Sequence, residues 1–309
     1  MSPRLSGALM VAASLALVGA NVPLGKIVVA QWPVTAFLVW RFALSVLVLL
    51  PMAWRGLPAI AAMPVRAWAL LTVQAAVGMI GFTWFMLEGV RVAGAVTAGI
   101  VAGSLPAVTA LLAVLLLREG LTWRRGGAVV AAGAGVASLA LTGQAATGIV
   151  PEGVLLVLGA VVCEALFIIA ARALNAGATA LSPAAQTLAV NALGLPMAAA
   201  LHLVAGEPFA ACALAWEAWA IAALYVLNAS VFALVLWYRG LAHVEAGLAG
   251  VLKVMIPATA ALLGIALLGE AVTPAHAAGF TAIVAAIVLA APGRAVSVRQ
   301  APAPERAAS

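Results

Sequence analysis

Six stretches of the chain carry no Asp, Glu, Lys or Arg: Leu5–Gly25, Ala67–Leu87, Val92–Leu117, Gly126–Pro151, Ala173–Leu201 and Ala218–Tyr238. A helix of about 20 apolar residues crosses about 30 Å of hydrocarbon, and each stretch is at least that long. Four similar runs hold one ionisable residue apiece: Val34–Trp54 with Arg41, Gly153–Ala171 with Glu164, Ala246–Gly269 with Lys253, and Ala271–Gly293 with His276. Soluble domains carry about 25% charged residues. This chain has 8%, with 66% hydrophobic, too few charges to clothe a globule of 309 residues. The expected fold is an all-α membrane protein of ten transmembrane helices joined by short loops. Only the polar tail Arg294–Ser309 falls outside the bundle. Arg4 and the apolar stretch behind it loosely fit a cleaved leader. The run continues into Asn21-Val22-Pro23-Leu24-Gly25-Lys26 with no soluble domain behind it, however, so it reads as the first span.

The net charge of +6 comes from fifteen Lys+Arg over nine acids, all of them Glu. In a bundle of spans this reports orientation rather than nucleic-acid binding, because positive residues collect on the cytoplasmic side. With the N-terminus inside, Arg4, Arg55, Arg66, Arg118, Arg124, Arg125, Arg172, Arg239, Arg294, Arg299 and Arg306 all lie on that side. Only Lys26 and Arg91 lie on the other. Both termini are therefore expected in the cytoplasm, across a bacterial-type inner membrane. All the tryptophans except Trp84 fall at or near span ends, as an interfacial belt requires. Two Cys and three His leave no room for a disulfide scaffold, a Cys-rich zinc site or an iron–sulfur cluster. Patterns of the GxGxxG, P-loop, HExxH and CxxC kinds are missing, so no cofactor or metal is expected. An intramembrane enzyme needs converging catalytic groups, and here Asp is absent while His202, His243 and His276 are scattered.

Aligned against itself, the chain matches at an offset of 151 residues. Ala95 to Thr122 pairs without gaps with Ala246 to Thr273, sharing Ala95, Ala98, Gly99, Pro106, Ala107, Ala110, Leu111, Leu112, Leu116, Leu117, Glu119 and Thr122. Ala/Leu-rich helices match cheaply. The common Pro-to-Glu spacing and the Glu-x-x-Thr ending do not. The repeat unit spans five helices, residues 1–151 and 152–293, with 294–309 as a cytoplasmic tail. Five is odd, so the second copy enters the membrane from the opposite face, an arrangement typical of secondary transporters.

Two five-helix copies, each with Pro-x12-Glu-x-x-Thr at the end of its fourth helix, resemble the drug/metabolite transporter superfamily, EamA type. The end of the first span, Gly19-Ala20-Asn21 to Lys26, is similar to that family's Trp-Gly-x-Asn…Lys pattern, with Val18 in place of Trp. The resemblance covers essentially the whole chain. It implies an inner-membrane carrier exporting small metabolites, a family that includes amino-acid exporters such as the YddG type for aromatic amino acids. It also implies a cavity walled by spans 1, 3, 4, 6, 8 and 9.

Among single residues, Lys253 and Glu164 carry the sharpest signal, since an ionisable group deep in a membrane usually marks function. Counted at 1.5 Å per residue, both lie about 10–12 Å from the inner ends of their spans. They can pair with each other, or Lys253 can meet a substrate carboxylate; the plainer reading is a silent salt bridge or a snorkelling lysine. Glu164 is also the one acid at membrane depth and so the one candidate for proton coupling. Pro106 and Pro257 each remove an N–H donor. Carbonyls freed in that way are tolerated in a membrane only where protein or water covers them, which favours a hinge or cavity over a packing kink. Glu119 and Glu270, followed by Thr122 and Thr273, read as structural loop anchors. Arg41, beside Trp40, is expected to reach the interface as an anchor. The polar residues Asn21, Gln74, Ser104, Asn191, Asn228 and Ser230 must point inward, with Asn228 and Ser104 near the midplane. Trp84, Phe85, Tyr225, Trp237 and Tyr238 could wall an apolar pocket, or anchor at the interface.

The candidate substrate contacts are thus Lys253, Glu164, Asn228, Asn21, Gln74, Trp84 and Ser104, with Pro106 and Pro257 as hinges. The expected function is secondary export of small metabolites, amino acids foremost, by alternating access. A carrier for drugs or cationic compounds and a passive channel are the alternatives. The expected partners are a small-molecule substrate and the lipid bilayer, with no nucleic acid; monomer and homodimer are both compatible with the sequence.

Overall fold

The computed structural model describes residues 2–118, 120, 122–146, 151–175, 181–207, 215–241, 243–244 and 246–291. Glu119 and the tail 294–309 lie outside the described residues, as do the side chains of Ser230 and Tyr238. All regular structure among the described residues is helical. The helices are α1 Pro3–Val29, α2 Val34–Ala53, α3 Val65–Ala93, α4 Ala95–Ala102, α5 Leu105–Leu117, α6 Trp123–Ala146, α7 Pro151–Asn175, α8 Pro183–Ala205, α9 216–241, α10 Ala246–Leu252, α11 Met255–Leu268 and α12 Pro274–Ala290. A 3₁₀ turn, Trp54–Gly56, and a short helix, Leu57–Ala61, extend α2.

Six helical stretches are long and apolar enough to cross a membrane, or seven if α4 and α5, bent by 41° to each other, form one span. Length and composition therefore stop short of the ten spans expected from sequence. The remaining candidates are α6, whose first turn carries Arg124 and Arg125, α9, which an irregular turn divides after 12 residues, and α12, with 17 residues. Large apolar side chains such as Val65, Leu115, Leu203 and Val204 stand mostly exposed, as a lipid-facing surface requires.

Similar backbone irregularities recur in the two copies of the repeat. A π-helical segment, Gln74–Gly81, interrupts α3, and another, Asn228–Phe232, interrupts α9; their last residues, Gly81 and Phe232, are equivalent in the repeat. Pro106 cannot donate to the carbonyl of Ala102, nor Pro257 to that of Lys253. The helix breaks just before each proline, at Gly103–Ser104 and at Lys253–Val254. Tight i→i−3 bonds bridge both gaps: Ser104 N–H to the Val101 carbonyl (2.9 Å) and Val254 N–H to the Val251 carbonyl (3.2 Å). Both broken helices then stop on a left-handed residue, Arg118 (φ 54°) and Gly269 (φ 64°). Glycine adopts that conformation without steric cost, whereas arginine does not.

Small residues let the helices cross closely, the usual device where lipid offers no hydrophobic drive for association. A Cβ added to Gly99 would stand 2.2 Å from Ala260 Cβ, so the Ala260 methyl of α11 packs directly on the α4 backbone; one added to Gly19 would stand 2.4 Å from the Ile256 carbonyl oxygen. Helix α8 runs antiparallel to α2. Thr35 near the start of α2 bonds His202 near the end of α8 (2.8 Å), and Ala185 near the start of α8 packs on Gly56 beyond the end of α2. Trp32, Trp40 and Trp219 pack together near the start of α2, with Trp32 buried. Trp32, Trp40 and Trp219 meet edge to face or stacked at 4.7–6.5 Å, with Phe37 against Tyr225 at 5.3 Å. Trp54, Trp123 and Trp216 remain exposed.

Candidate functional site

A cavity of about 720 Å³ lies between the two halves of the chain, within the range of small-molecule sites. Its wall draws on α1, α2, α3, α4 and α5 from the first half and α7, α8, α9 and α11 from the second. It extends from Val22, toward the end of α1, to Leu181 and Pro183 at the start of α8, which is the opposite end of the bundle. Most of the lining is apolar, including Met79, Phe82, Met86, Phe167 and Ile256; the polar groups are Arg41, Asn21, Glu164, Gln186, Thr187, Asn191 and Tyr225.

Two of the expected contacts, Glu164 and Asn21, stand on this wall. Asn21 is held by α9 at its π-helical segment, where the shifted hydrogen-bond register exposes carbonyls to side chains. Asn21 Nδ2 donates to the Tyr225 carbonyl (3.3 Å), and Asn228 Nδ2 donates to Asn21 Oδ1 (2.6 Å) and to the Leu17 carbonyl (2.8 Å). Ser14, two turns before Asn21, donates to the Ala233 carbonyl (2.6 Å) and closes the latch. Asn228 therefore stands one bond behind the wall. Gln74 does the same on the other side, accepting from Gln186 Nε2 (2.8 Å), and Gln186 faces the cavity.

The other expected contacts lie elsewhere. Lys253 sits at the α10–α11 break, partly buried and off the wall, although Ile256 three residues on and Ala102, its repeat equivalent, both line the cavity. Among the described residues Lys253 makes no ion pair or hydrogen bond with Glu164. The two interact only at longer range, as Arg41 and Glu164 also do. Ser104 is buried beside the α4–α5 break with its hydroxyl unpartnered. Trp84 is 37% exposed and packs on Phe85 outside the cavity. Pro106 and Pro257 border the cavity helices at their breaks without being on the wall.

Arg41 is the correction. An interfacial anchor is expected at this position, yet the side chain is 6% exposed and lines the cavity. It stands two turns into α2, about 10 Å from the helix start at 1.5 Å per residue, and on the face turned inward rather than to lipid. Its guanidinium lies over the Phe42 ring at 5.7 Å, and among the described residues Nη1 has no hydrogen-bond partner. Asn191 was also undervalued: it is 1% exposed, donates to the Thr187 carbonyl (2.8 Å), and leaves Oδ1 unpartnered at the wall. Helix-face assignment from periodicity could have found both, but Ala and Leu on every face of these helices blur that signal.

Beyond the Val22 end of the cavity, Glu270 joins three elements. It accepts from Lys26 Nζ at the end of α1 (2.6 Å) and from the first two amides of α4, Ala95 and Val96 (2.7 Å each). Burial pushes the Glu270 carboxyl up, but the Lys26 ammonium and the two amides outweigh it and hold the group below the usual carboxylate range. This is the loop-anchor role expected of Glu270. Thr273 then caps α12 in a reciprocal box with His276, whose Nε2 meets Thr97 Oγ1 on α4 (2.9 Å).

The model of the EamA-like transporter family matches the chain twice, over residues 5–141 and 151–291. The chain belongs to this family. A curated relative, the uncharacterized transporter YetK of Bacillus subtilis (strain 168), is 28% identical over 282 residues, covering 89% of this chain and 84% of the relative. A solved crystal structure shares the fold, with a TM-score of 0.62 at 18% identity, covering 92% of this chain and 96% of its own. The chamber between the two matched segments carries polar groups from both, Asn21 and Arg41 from the first and Glu164 and Asn191 from the second.

Proposed function

We propose that the chain is a secondary carrier that exports small metabolites, amino acids foremost, across the inner membrane by alternating access. The observation that carries this is the cavity itself: it lies between residues 5–141 and 151–291, draws its wall from both, and holds a carboxylate and a guanidinium in a mostly apolar lining. The recurring breaks, π-helical segments and left-handed stops support reading the chain as ten spans in two inverted five-helix units, with α4–α5, α10–α11 and the two parts of α9 each counted as one span. In such folds broken helices at the repeat interface form the substrate site, and the halves rock around it. Arg55, next to the Gly56 that packs on Ala185 near the start of α8, and Arg172 in the last turn of α7 support placing the Leu181 end of the cavity in the cytoplasm.

Export of cationic compounds draws on Glu164 alone and leaves Arg41 on the same wall unexplained, so the amino-acid reading is favoured. The test is counterflow of labelled amino acids into proteoliposomes, comparing wild type, Glu164→Gln and Lys253→Ala. Saturable, trans-accelerated uptake by the wild type, reduced in Glu164→Gln, is expected. Flux that neither saturates nor responds to trans solute would make the protein a channel, and no amino-acid flux at all would refute the amino-acid reading.

A further inference from the structure

We propose that Arg41 and Glu164 form a two-ended clamp for a zwitterion, Arg41 taking the carboxylate and Glu164 the ammonium, with the substituent received by the apolar wall of Met79, Phe82 and Phe167. The proposal deepens the carrier reading and rests on it.

Three observations support this. First, both charged side chains line the same cavity but come from different halves, Arg41 from α2 and Glu164 from α7. Second, they lie within electrostatic reach of each other yet make no ion pair, so neither charge is neutralised by contact with the other. Third, the Arg41 side chain is more than nine-tenths buried, and among the described residues Nη1 has no hydrogen-bond partner. A buried charge is costly without a hydrogen-bonded counter-charge. Arginine's fixed fork matches a carboxylate better than any other common anion partner except phosphate, and a phosphate would face Glu164 on the same wall. A simple anion answers Arg41 but leaves Glu164 opposed by nothing new, and a simple amine does the reverse. A molecule carrying an ammonium and a carboxylate on one carbon satisfies both groups in one binding event. Asn191, with Oδ1 unpartnered at the wall, supplies a further acceptor for an ammonium.

Selectivity follows from the geometry: deleting either charge from the ligand leaves one protein charge buried and unmatched, and truncating one member of such a pair is strongly unfavourable. The test measures binding by the purified protein in detergent, through the shift in thermal unfolding, with three probes: L-phenylalanine, N-acetyl-L-phenylalanine and 2-phenylethylamine. Wild type is expected to bind phenylalanine at least ten-fold more tightly than either truncated probe. In Glu164→Gln the gap to N-acetyl-phenylalanine should close while the gap to phenylethylamine persists, and in Arg41→Met the reverse. Because each variant is read as a ratio between probes, a general loss of stability does not imitate the result. Wild type preferring neither charge, or binding none of the three probes, overturns the clamp, as does an equal loss of all three in both variants. Saturable counterflow of some other metabolite alongside any of those results would leave the carrier reading standing.

Discussion

Replacing Glu270 by Ala should destabilise the protein far more than replacing its ion-pair partner, Lys26. A salt bridge at a partly exposed site contributes about 0–1 kcal/mol, and Lys26 keeps 34% of its side chain exposed, so Lys26→Ala is expected to cost about 0.5 kcal/mol. Glu270 is different, because its two oxygens also accept the Ala95 and Val96 amides at 2.7 Å. These are two of the orphan donors at the start of α4, where helix-dipole and charge-assisted terms act together. Hydrogen bonds to a charged group contribute about 1.5–3 kcal/mol each, and loss of an ordinary cap costs about 1 kcal/mol. Allowing water to reach part of the site, Glu270→Ala should cost about 2–4 kcal/mol. Equilibrium unfolding in mixed detergent and SDS measures both variants. A pH series adds a second readout. The folded Glu270 carboxyl is held below its ordinary value, so its stabilisation is present above about pH 4.5 and is lost as the pH falls through the folded value. Glu270→Gln should flatten that acid limb. If Lys26→Ala costs as much as Glu270→Ala, the ion pair rather than the helix cap holds this corner together, and the reasoning fails.

Other outcomes follow from single positions. Arg118→Gly should stabilise by about 0.5 kcal/mol in the same unfolding assay, since release of a left-handed non-glycine outweighs the added freedom of the unfolded chain. Gly99→Leu should cost about 3 kcal/mol or more, because its Cβ would already overlap Ala260; Gly126→Ala, with open space around it, should be neutral or slightly stabilising. Ser104→Ala removes a buried hydroxyl that has no partner, so stability should be unchanged or rise by up to about 1 kcal/mol, and the KM for counterflow should not move. Gln74→Leu breaks the bond to Gln186; loss of substrate affinity with little change in unfolding would show that Gln74 acts by positioning Gln186.

Much of the architecture was legible in the sequence because membrane insertion tolerates few solutions: charge-free runs have to be helices, and Pro106 and Pro257 have to break theirs. The equivalence of Arg118 with Gly269 was also visible as part of the 151-residue repeat, although nothing in the residue type Arg announces a left-handed backbone. The π-helical segments at Gln74 and Asn228 were invisible; in the fold the first packs against α7 and α8 and the second against α1. The site was only half legible. Glu164 and Asn21 stood out as polar residues in apolar runs, and both reach the wall. Lys253 stood out by the same logic but lies off the wall, because the break at Lys253–Val254 displaces it from the face that Ile256 presents. Arg41 was discounted on its distance from the end of its run, when the deciding quantity was the helix face. Trp84 carried no spacing signal, and the structure leaves it outside the cavity. The Gln74–Gln186 and Asn21–Asn228 pairs join residues more than a hundred positions apart, and a single sequence does not connect them.

The central claim is that solute passes through the cavity between the two family units. The most direct test fills it from each side, with Ala102→Trp on the first half and Ala229→Trp on the second, and Val130→Trp on the 72% exposed surface of α6 as a control for the added indole. All three proteins are reconstituted and assayed for counterflow of the amino acid best carried by the wild type. With unfolding midpoints near that of the wild type, both cavity variants should fall to the rate of empty liposomes while the control keeps its flux. Wild-type flux through both filled cavities would place the transport path elsewhere in the molecule.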